Sequence, residues 1–129
     1  MNSIKINGKD RNLKDFLLNL FNSGIRVVKP NLILDKYLKI QKKVLLVNIN
    51  HNKYIKYKNI EKIYILCIGK ASVETAETIN KIFKNSDLKI QEGIVVSNKE
   101  NFRKVKNFKC FSSGHPLPNA SGVKASQYI

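Results

Sequence analysis

One stretch decides the fold, Ile63-Tyr64-Ile65-Leu66-Cys67-Ile68-Gly69-Lys70-Ala71-Ser72. Its six apolar residues in a row, without alternation, are typical of a parallel-sheet strand that is covered on both faces. Apolar residues then recur at helical spacing, at Val73, Ala76, Ile79 and Phe83, and a second apolar run follows at residues 93–97. Strand, helix and strand in this order predict a βαβ unit. The expected fold class is therefore α/β, with a Rossmann-like, open, mostly parallel sheet and flanking helices.

The segments before this unit have their own periodicity. Apolar residues at steps of three and four predict a helix over residues 13–30, capped by Asn12, and a shorter helix that follows directly and includes Leu38. Residues 44–47 and 53–57 predict two strands joined by a polar turn. The turn contains His51, which has no partner pattern, so we expect this histidine at the surface.

The segments after the unit predict a third strand, at residues 108–111, and a last helix that Asn119 can cap. This helix meets no glycine or proline stop before Ile129. We therefore expect an incomplete α/β domain, with residues 1–11 as a polar leader and residues 12–129 as the N-terminal portion of a longer domain. A natural terminus at Ile129 is the alternative.

The chain is strongly basic, with 24 Lys and Arg residues against 9 Asp and Glu residues and a net charge of +15. Such a field attracts phosphate-bearing partners, so a basic nucleic-acid-binding module is one hypothesis. Only three of the cations are arginine, which supplies most bidentate base contacts, and the lysines are spread over the whole chain. We favour the alternative, in which the lysines cover a solvated surface and attract nucleic acid only non-specifically.

The composition excludes several classes of protein. The chain has two cysteines, Cys67 and Cys110, too few for a disulfide framework, and both fall in predicted strands where packing explains them. No cysteine and histidine spacing suggests a metal site. No apolar run reaches the about 18 residues of a membrane span, and the first residues lack the apolar core of a signal peptide. We expect a reduced, cytoplasmic protein.

Gly69 and Lys70 form the first candidate site. They lie where a strand passes into a helix, and ligands of open α/β sheets bind beyond the carboxyl ends of the strands. The free N–H groups of a helix N-terminus attract an anion, and Lys70 adds a positive charge there. The spacing is not that of a Walker A loop, because Tyr64 and Ala71 replace its glycine and its Ser or Thr. A phosphate or carboxylate site is one interpretation, and a plain tight turn with a solvated lysine is the other.

The second candidate is the loop Gly114-His115-Pro116-Leu117-Pro118. Two prolines restrict the backbone, so His115 is held in position. A histidine held near an anion site can donate a hydrogen bond or act as an acid or base. A structural turn whose histidine caps a neighbouring carbonyl group is the alternative.

Three segments together resemble the N-terminal (MOFRL-associated) domain of the type 2 glycerate kinases. The first is the opening helix, residues 13–30. The second is residues 62–71, which are similar to that family's strand and its Gly-Lys-Ala turn. The third combines Gly93-Ile94-Val95-Val96 with the loop Ser113-Gly114-His115-Pro116-Leu117-Pro118-Asn119, which resembles the family's Gly-His-Pro-Val-Pro-Asp loop. Order and spacing of the segments agree over residues 11–129.

The resemblance implies ATP-dependent phosphorylation of the 2-hydroxyl group of D-glycerate, with a divalent metal, usually Mg²⁺, in a cleft against a second, C-terminal domain. It makes Lys70 the functional lysine, close to the phosphates or the substrate carboxylate. It implies that Gly69 and the amides of Ala71 and Ser72 complete the anion pocket. It also implies that Gly114 and His115 lie on a loop facing the cleft.

Two departures separate this chain from the family pattern, Asn119 in place of the usual Asp and a lysine shifted by one position to Lys99. The family's downstream glycine-rich loop and its C-terminal domain are absent from these 129 residues. Half a cleft cannot position both ATP and glycerate, so we expect little or no kinase activity from these residues alone. Some relatives are labelled hydroxypyruvate reductases, which keeps that reaction open, and a truncated product without activity is a further alternative.

Overall fold

The computed structural model of the protein describes residues 8–50 and 53–129. The expected surface position of His51 and most of the expected polar leader lie outside the described residues. The elements follow in the order ααβββ, then βαβ, then a strand and a helix. Within the described residues, no helix is both long enough and apolar enough to cross a membrane.

The first two helices are α1, Gly8–Val27, and α2, Pro30–Tyr37. α1 begins before Asn12, so the expected cap at Asn12 is wrong, and the helix includes the last residues of the predicted leader. α2 opens on a proline, as predicted, because the missing N–H of proline is unused in the first helical turn. The apolar stripe of α1 is exposed along its whole length. The periodicity predicted this helix correctly, but no described element buries its apolar face.

An antiparallel sheet follows, made of β1 (Leu38–Gln41), β2 (Val44–Asn50) and β3 (Lys53–Tyr57) in that order. β2 and β3 confirm the two predicted strands. β1 was not predicted, and Leu38 belongs to it rather than to the second helix. A tight turn joins β1 to β2 with Lys42 at a φ of 56°. Glycine or asparagine usually marks such a turn, so the lysine concealed the hairpin from sequence analysis.

The second sheet is parallel and contains β4 (Tyr64–Ile68), β5 (Glu92–Asn98) and β6 (Lys109–Ser113), in the order β4-β5-β6. Helix α3, Ser72–Phe83, connects β4 to β5, and a short 3₁₀ helix, Lys99–Asn101, follows β5. The βαβ unit and the α/β fold class are therefore confirmed. The carboxyl ends of all three strands lie at one edge of the sheet, because parallel strands run in the same direction.

The core lies between this sheet and α3. It comprises six buried residues from β4, α3, β5 and the segment before β6: Cys67, Val73, Ala76, Ile79, Val95 and Val105. The opposite face of β4 is bare, with Leu66 50% and Ile68 64% exposed. The expectation that both faces of this strand are covered is wrong for the described residues. α4, Ala120–Tyr128, packs Tyr128 against Phe111 of β6, with 5.4 Å between the ring centroids and the two rings tilted by 41°. This contact is two strands away from β4.

Candidate functional site

A cavity of about 230 Å³ lies at the carboxyl ends of the parallel strands. This is the edge at which open α/β sheets bind their ligands. Each of the three strands, or the turn that follows it, contributes to the wall. The lining residues are Ile68, Gly69, Lys70, Val96, Ser97, Asn98, Ser113, Gly114 and His115. The structure therefore brings four predicted site residues together, although they lie up to 46 positions apart in sequence.

The turn after β4 is fixed to the neighbouring strand. The N–H of Gly69 donates a 2.9 Å hydrogen bond to the carbonyl oxygen of Val96 on β5. Gly69 has a φ of 114°, a conformation that residues with a Cβ rarely adopt, and this explains the glycine. The turn therefore has a defined position over the end of β5, and it holds Lys70 at the mouth of the cavity.

Lys70 carries a positive charge that no carboxylate in the described residues neutralises. The two salt bridges among the described residues join Arg103 to Glu77 and Lys109 to Glu92, and neither includes Lys70. Lys70 is exposed and lies just before the N-terminus of α3, where the helix dipole also favours negative charge. The cavity therefore has one unneutralised positive charge in its wall, that of Lys70, and the N-terminus of α3 follows two residues later in the chain.

Ala71 and Ser72 do not line the cavity. The hydroxyl group of Ser72 is buried and donates a 3.0 Å hydrogen bond to the carbonyl oxygen of Val96, while its N–H donates to the carbonyl oxygen of Gly69 at 3.1 Å. Both polar groups of Ser72 thus hold the turn on the sheet. The anion-binding role of Ala71 and Ser72 stays a prediction.

The loop that carries His115 is closed by one side chain. Asn119 Oδ1 accepts hydrogen bonds of 3.0 Å from the N–H of Gly114 and from the N–H of Gly122 in the first turn of α4. The predicted cap of the last helix is therefore confirmed, and the same oxygen also closes the loop. His115 is exposed and lines the cavity, and its peptide bond to Pro116 is cis. No described contact shows His115 capping a carbonyl group.

The described residues do not form a metal site by themselves, because none of their histidines, cysteines and carboxylates come together in a group of three or more. The cavity wall supplies hydroxyl, amide, ammonium and imidazole groups but no carboxylate. Carboxylate oxygens are the usual protein ligands of Mg²⁺, so the residues present do not fit the metal that the resemblance implies.

The cysteines are structural, as predicted. Cys67 is buried in β4, and burial raises the pKa of its thiol, which disfavours the reactive thiolate. Cys110 Sγ accepts a 3.2 Å hydrogen bond from the N–H of Val105. Both are free cysteines, and neither lines the cavity.

Three polar lining residues were not among the predicted site residues: Ser97, Asn98 and Ser113. They occupy the last positions of β5 and β6, directly beside one another in the strand register, with Asn98 paired to Ser113. The rule that drew attention to the end of β4 applies equally to the ends of its neighbours. The carboxyl ends of β5 and β6 therefore also predict site residues, and these are the positions that Ser97, Asn98 and Ser113 occupy.

A second, larger hollow of about 470 Å³ lies at the opposite end of the parallel strands. Its wall includes three exposed lysines, Lys43, Lys58 and Lys89, together with Glu61 and Asp87. Carboxylates of opposite charge stand among these lysines, and no helix begins there. The smaller cavity is therefore the candidate site, because in the described part of the chain it combines the carboxyl ends of the parallel strands with a lysine that no carboxylate neutralises.

Comparison with known proteins gives one family and two solved structures. A family model described as "Domain of unknown function (DUF4147)" matches residues 16–129. No curated protein sequence matches the chain.

Among solved structures, the chain is similar to the PH0495 protein from Pyrococcus horikoshii OT3, with a TM-score of 0.70 and 20% identity over 98% of this chain. It is also similar to the glycerate kinase from Thermotoga maritima, with a TM-score of 0.63 and 17% identity over 92% of this chain. The chain spans about a quarter of the length of each, 25% and 24% respectively. At this level of identity the two likenesses concern the fold.

Proposed function

The chain belongs to the DUF4147 family, the N-terminal domain of glycerate kinase-like proteins, and we therefore propose that it is the N-terminal part of a glycerate 2-kinase-like enzyme. The reaction is transfer of a phosphoryl group from ATP to the 2-hydroxyl group of D-glycerate, which yields 2-phosphoglycerate. Family membership, the shared fold of the Thermotoga maritima glycerate kinase and the resemblance of the Gly-Lys-Ala turn all support this proposal.

The observation that carries the proposal is the unneutralised charge of Lys70 beside a cavity at the strand ends. Phosphoryl transfer needs positioning and charge stabilisation more than covalent chemistry. An ammonium group that has no carboxylate partner is free to stabilise the charge on the substrate carboxylate or on the transferred group. Lys70 is therefore the proposed catalytic residue.

The other predicted site residues have supporting roles in this proposal. Gly69 and Gly114 form parts of the wall that a ligand approaches closely, and His115 donates a hydrogen bond or transfers a proton at the cavity mouth. Ala71 and Ser72 contribute through the N-terminal end of α3, whose dipole favours the bound anion.

The size of the cavity favours a small ligand in this part of the cleft. Its 230 Å³ is less than the about 300–1,000 Å³ of pockets that enclose drug-sized molecules. D-glycerate or a single phosphoryl group fits this volume, whereas the nucleoside portion of ATP needs further surface. The carboxylates that would hold Mg²⁺ are likewise proposed to come from other residues of the enzyme.

The remaining surface of the cleft is proposed to come from the C-terminal domain. Leu66 and Ile68 expose an apolar face on β4, a strand at the edge of its sheet. Apolar faces of parallel strands are normally covered, which supports the view that further chain packs on β4. Without that chain the two substrates cannot be held together, and we expect residues 1–129 to bind ligand but to transfer little or no phosphate.

The test measures both properties. Residues 1–129 are titrated with D-glycerate and with inorganic phosphate, and the protein encoded by the complete reading frame is assayed with ATP, Mg²⁺ and D-glycerate. Lys70→Ala is expected to lower kcat/KM by about 100-fold or more, as loss of an oxyanion-stabilising donor does elsewhere. Lys62→Ala is the matched control, because Lys62 is an exposed lysine outside the cavity. Equal turnover in the two variants would remove Lys70 from the mechanism.

Two other functions are tested by separate assays on the same proteins. Reduction of hydroxypyruvate with a nicotinamide cofactor, in the absence of phosphoryl transfer, would support the reductase. Binding of DNA or RNA with a steep loss of affinity as salt rises, and with affinity above the non-specific range, would support the nucleic-acid module. We expect neither result.

A cytoplasmic location agrees with the two free cysteines and with ATP as co-substrate.

A further inference from the structure

The two faces of the parallel sheet are covered by different helices. α3 packs on the face that carries Val95, and the segment between β5 and β6 lies on the same face, because Val105 belongs to that core. Cys110 also packs against this core, so the next residue, Phe111, points to the opposite face. Tyr128 of α4 packs against Phe111. α4 therefore lies on the outer face of the sheet, opposite α3.

This change of face sets the direction in which the sheet continues. Crossovers between parallel strands of one sheet are right-handed in about 98% of cases. Right-handed crossovers over one face place each new strand in the same direction, which here is the order β4-β5-β6. A right-handed crossover over the other face runs in the reverse direction. A strand that follows α4 is therefore directed back past β5 and β4, to the free edge of β4.

The composition of β4 is not that of a solvated edge strand. Natural edge strands usually carry a lysine or a proline, which hinders pairing with a further chain. The two described sheets have four edge strands, and three of them contain lysine: Lys39 in β1, Lys53 and Lys56 in β3, and Lys109 in β6. β4, with the sequence Tyr-Ile-Leu-Cys-Ile, contains neither a charge nor a proline. Its residues are typical of a strand that has neighbours on both edges.

The backbone of β4 offers hydrogen-bonding groups at its free edge. Gly69 faces β5, since its N–H donates to the carbonyl oxygen of Val96. Residues of a strand turn their backbone groups to its two sides alternately, so Cys67 also faces β5, whereas Leu66 and Ile68 face the free edge. The side chains of Leu66 and Ile68 are also the exposed ones on the outer face. The same two residues therefore lack a partner for both backbone and side chain among the described residues.

We propose that the free edge and the outer face of β4 are the docking surface for the strand that follows α4 in the longer enzyme, and that this strand pairs with β4 in parallel. The inference rests on the proposed function, because it needs chain beyond α4. The chain spans about a quarter of each similar solved structure, so such an enzyme has ample polypeptide for a further strand. β4 then lies inside the sheet, where an uncharged apolar strand is expected.

This pairing defines one more wall of the candidate cavity. The connections that leave β4 and the new strand run in opposite directions, and open α/β sheets bind ligands beyond the strand ends at such a switch point. Gly69 and Lys70 follow β4 directly, so the loop after the new strand lies beside them. The chain directly after α4 thus supplies ligand-binding residues next to Lys70, before the C-terminal domain closes the cleft.

Amide hydrogen exchange resolved by residue tests the pairing, in residues 1–129 and in the protein encoded by the complete reading frame. In residues 1–129 we expect fast exchange at Leu66 and slow exchange at Cys67, which faces β5. In the complete protein the exchange at Leu66 should be at least about 100-fold slower, because amides of paired inner strands exchange only when larger units open. Ser112 is the matched control at the free edge of β6, since it lies opposite Ser97 in the register as Ile68 lies opposite Val96.

Slow exchange at Leu66 with fast exchange at Ser112 in the complete protein supports the proposal. The reverse result would place the next strand on β6 and overturn it. Protection of Leu66 in residues 1–129 that rises with protein concentration, together with a dimer mass in sedimentation, would assign the edge to a second copy and overturn it as well.

Assay of D-glycerate phosphorylation on the same complete protein separates this inference from the proposed function. Fast exchange at Leu66 in an active kinase overturns the strand pairing alone. Slow exchange at Leu66 in a protein without kinase activity keeps the pairing and removes the proposed reaction. A complete reading frame that encodes no strand after α4 overturns both.

Discussion

The side-chain oxygen of Asn119 lies 3.0 Å from the backbone nitrogen of Gly114, and this hydrogen bond closes the loop that carries His115. The same oxygen accepts the N–H of Gly122 and caps α4. One side chain thus connects the start of the loop to the helix that follows it. The family resemblance has an aspartate at this position, and either residue offers the required acceptor oxygen.

Asn119→Ala is expected to destabilise the protein by about 0.5–2 kcal/mol, the usual cost of a lost N-cap. The variant leaves the N–H groups of Gly114 and Gly122 without their acceptor. Asn119→Asp keeps the acceptor and adds negative charge at the N-terminus of α4, so it should retain wild-type stability or exceed it. Urea unfolding of the three proteins measures the difference. A loss in the aspartate variant as large as in the alanine variant would contradict the capping role.

Gly69→Ala is expected to cost about 1–3 kcal/mol, because its φ of 114° is strained for any residue with a Cβ. The space around the position is open, so conformation and not collision is the cause. Gly24→Ala is the control, since Gly24 lies inside α1 with nothing within 4 Å of an added Cβ. That change should stabilise by about 0.5–1 kcal/mol through helix propensity. If the urea midpoints of the two variants moved in the same direction, the positive φ of Gly69 would not be the cause of the loss.

Gly93→Ala tests a close contact in the core. A Cβ at Gly93 would lie 2.5–2.8 Å from three ring carbons of Phe108, which is too close for any pair of carbon atoms. We expect a loss of about 1–3 kcal/mol from overpacking. Phe108→Leu removes the ring and should reduce the cost of the alanine in a double-mutant cycle. Additive losses in the double variant would show that the two residues do not collide.

The exposed face of β4 is tested by comparing Leu66→Gln with Val95→Ala. Leu66 is half exposed, and a polar replacement should change the stability of the chain by no more than about 0.5 kcal/mol. Val95 is completely buried beneath α3, and its truncation should cost about 1–3 kcal/mol. If Leu66→Gln destabilised as much as Val95→Ala, the outer face of β4 would be covered after all.

The ion pair between Arg103 and Glu77 predicts a pH dependence. Arg103 donates two hydrogen bonds, of 3.0 and 2.9 Å, to the Glu77 carboxylate, and these bonds chiefly lower the pKa of Glu77 below its ordinary value of 4.5. A lowered pKa means that the stabilisation is complete above pH 4.5 and is lost as the pH falls through the folded-state pKa. Both side chains are substantially exposed, so the effect is small.

Thermal unfolding between pH 7 and pH 3 measures this effect. The Tm of Glu77→Gln should lie slightly below that of wild type at pH 7, by a few degrees at most, and the two should converge in the acid range. Glu61→Gln, a change of the same charge at an exposed residue outside the described salt bridges, should show no such convergence. A difference that persists unchanged at pH 3 would assign the stabilisation to another group.

Sequence analysis predicted the elements whose signal is local. The apolar run that ends at Ile68 and the helical spacing from Val73 to Phe83 are properties of neighbouring residues, and both elements are confirmed. β1 was missed because its turn uses Lys42, a residue that does not mark tight turns. The exposed stripe of α1 was not foreseen either, because periodicity shows which face is apolar and not whether another element covers it.

Local sequence was sufficient to predict the βαβ unit, the glycine turn before Lys70 and the asparagine that caps the last helix, since each depends on backbone preferences over a few residues. The tertiary structure alone decided the composition of the cavity. Ser97 and His115 lie 18 positions apart, and only the pairing of β5 with β6 brings their segments to one wall. It also decided that the hydroxyl of Ser72 is bonded while that of Ser97 is not, because a hydrogen bond depends on distances across the fold that no local pattern encodes.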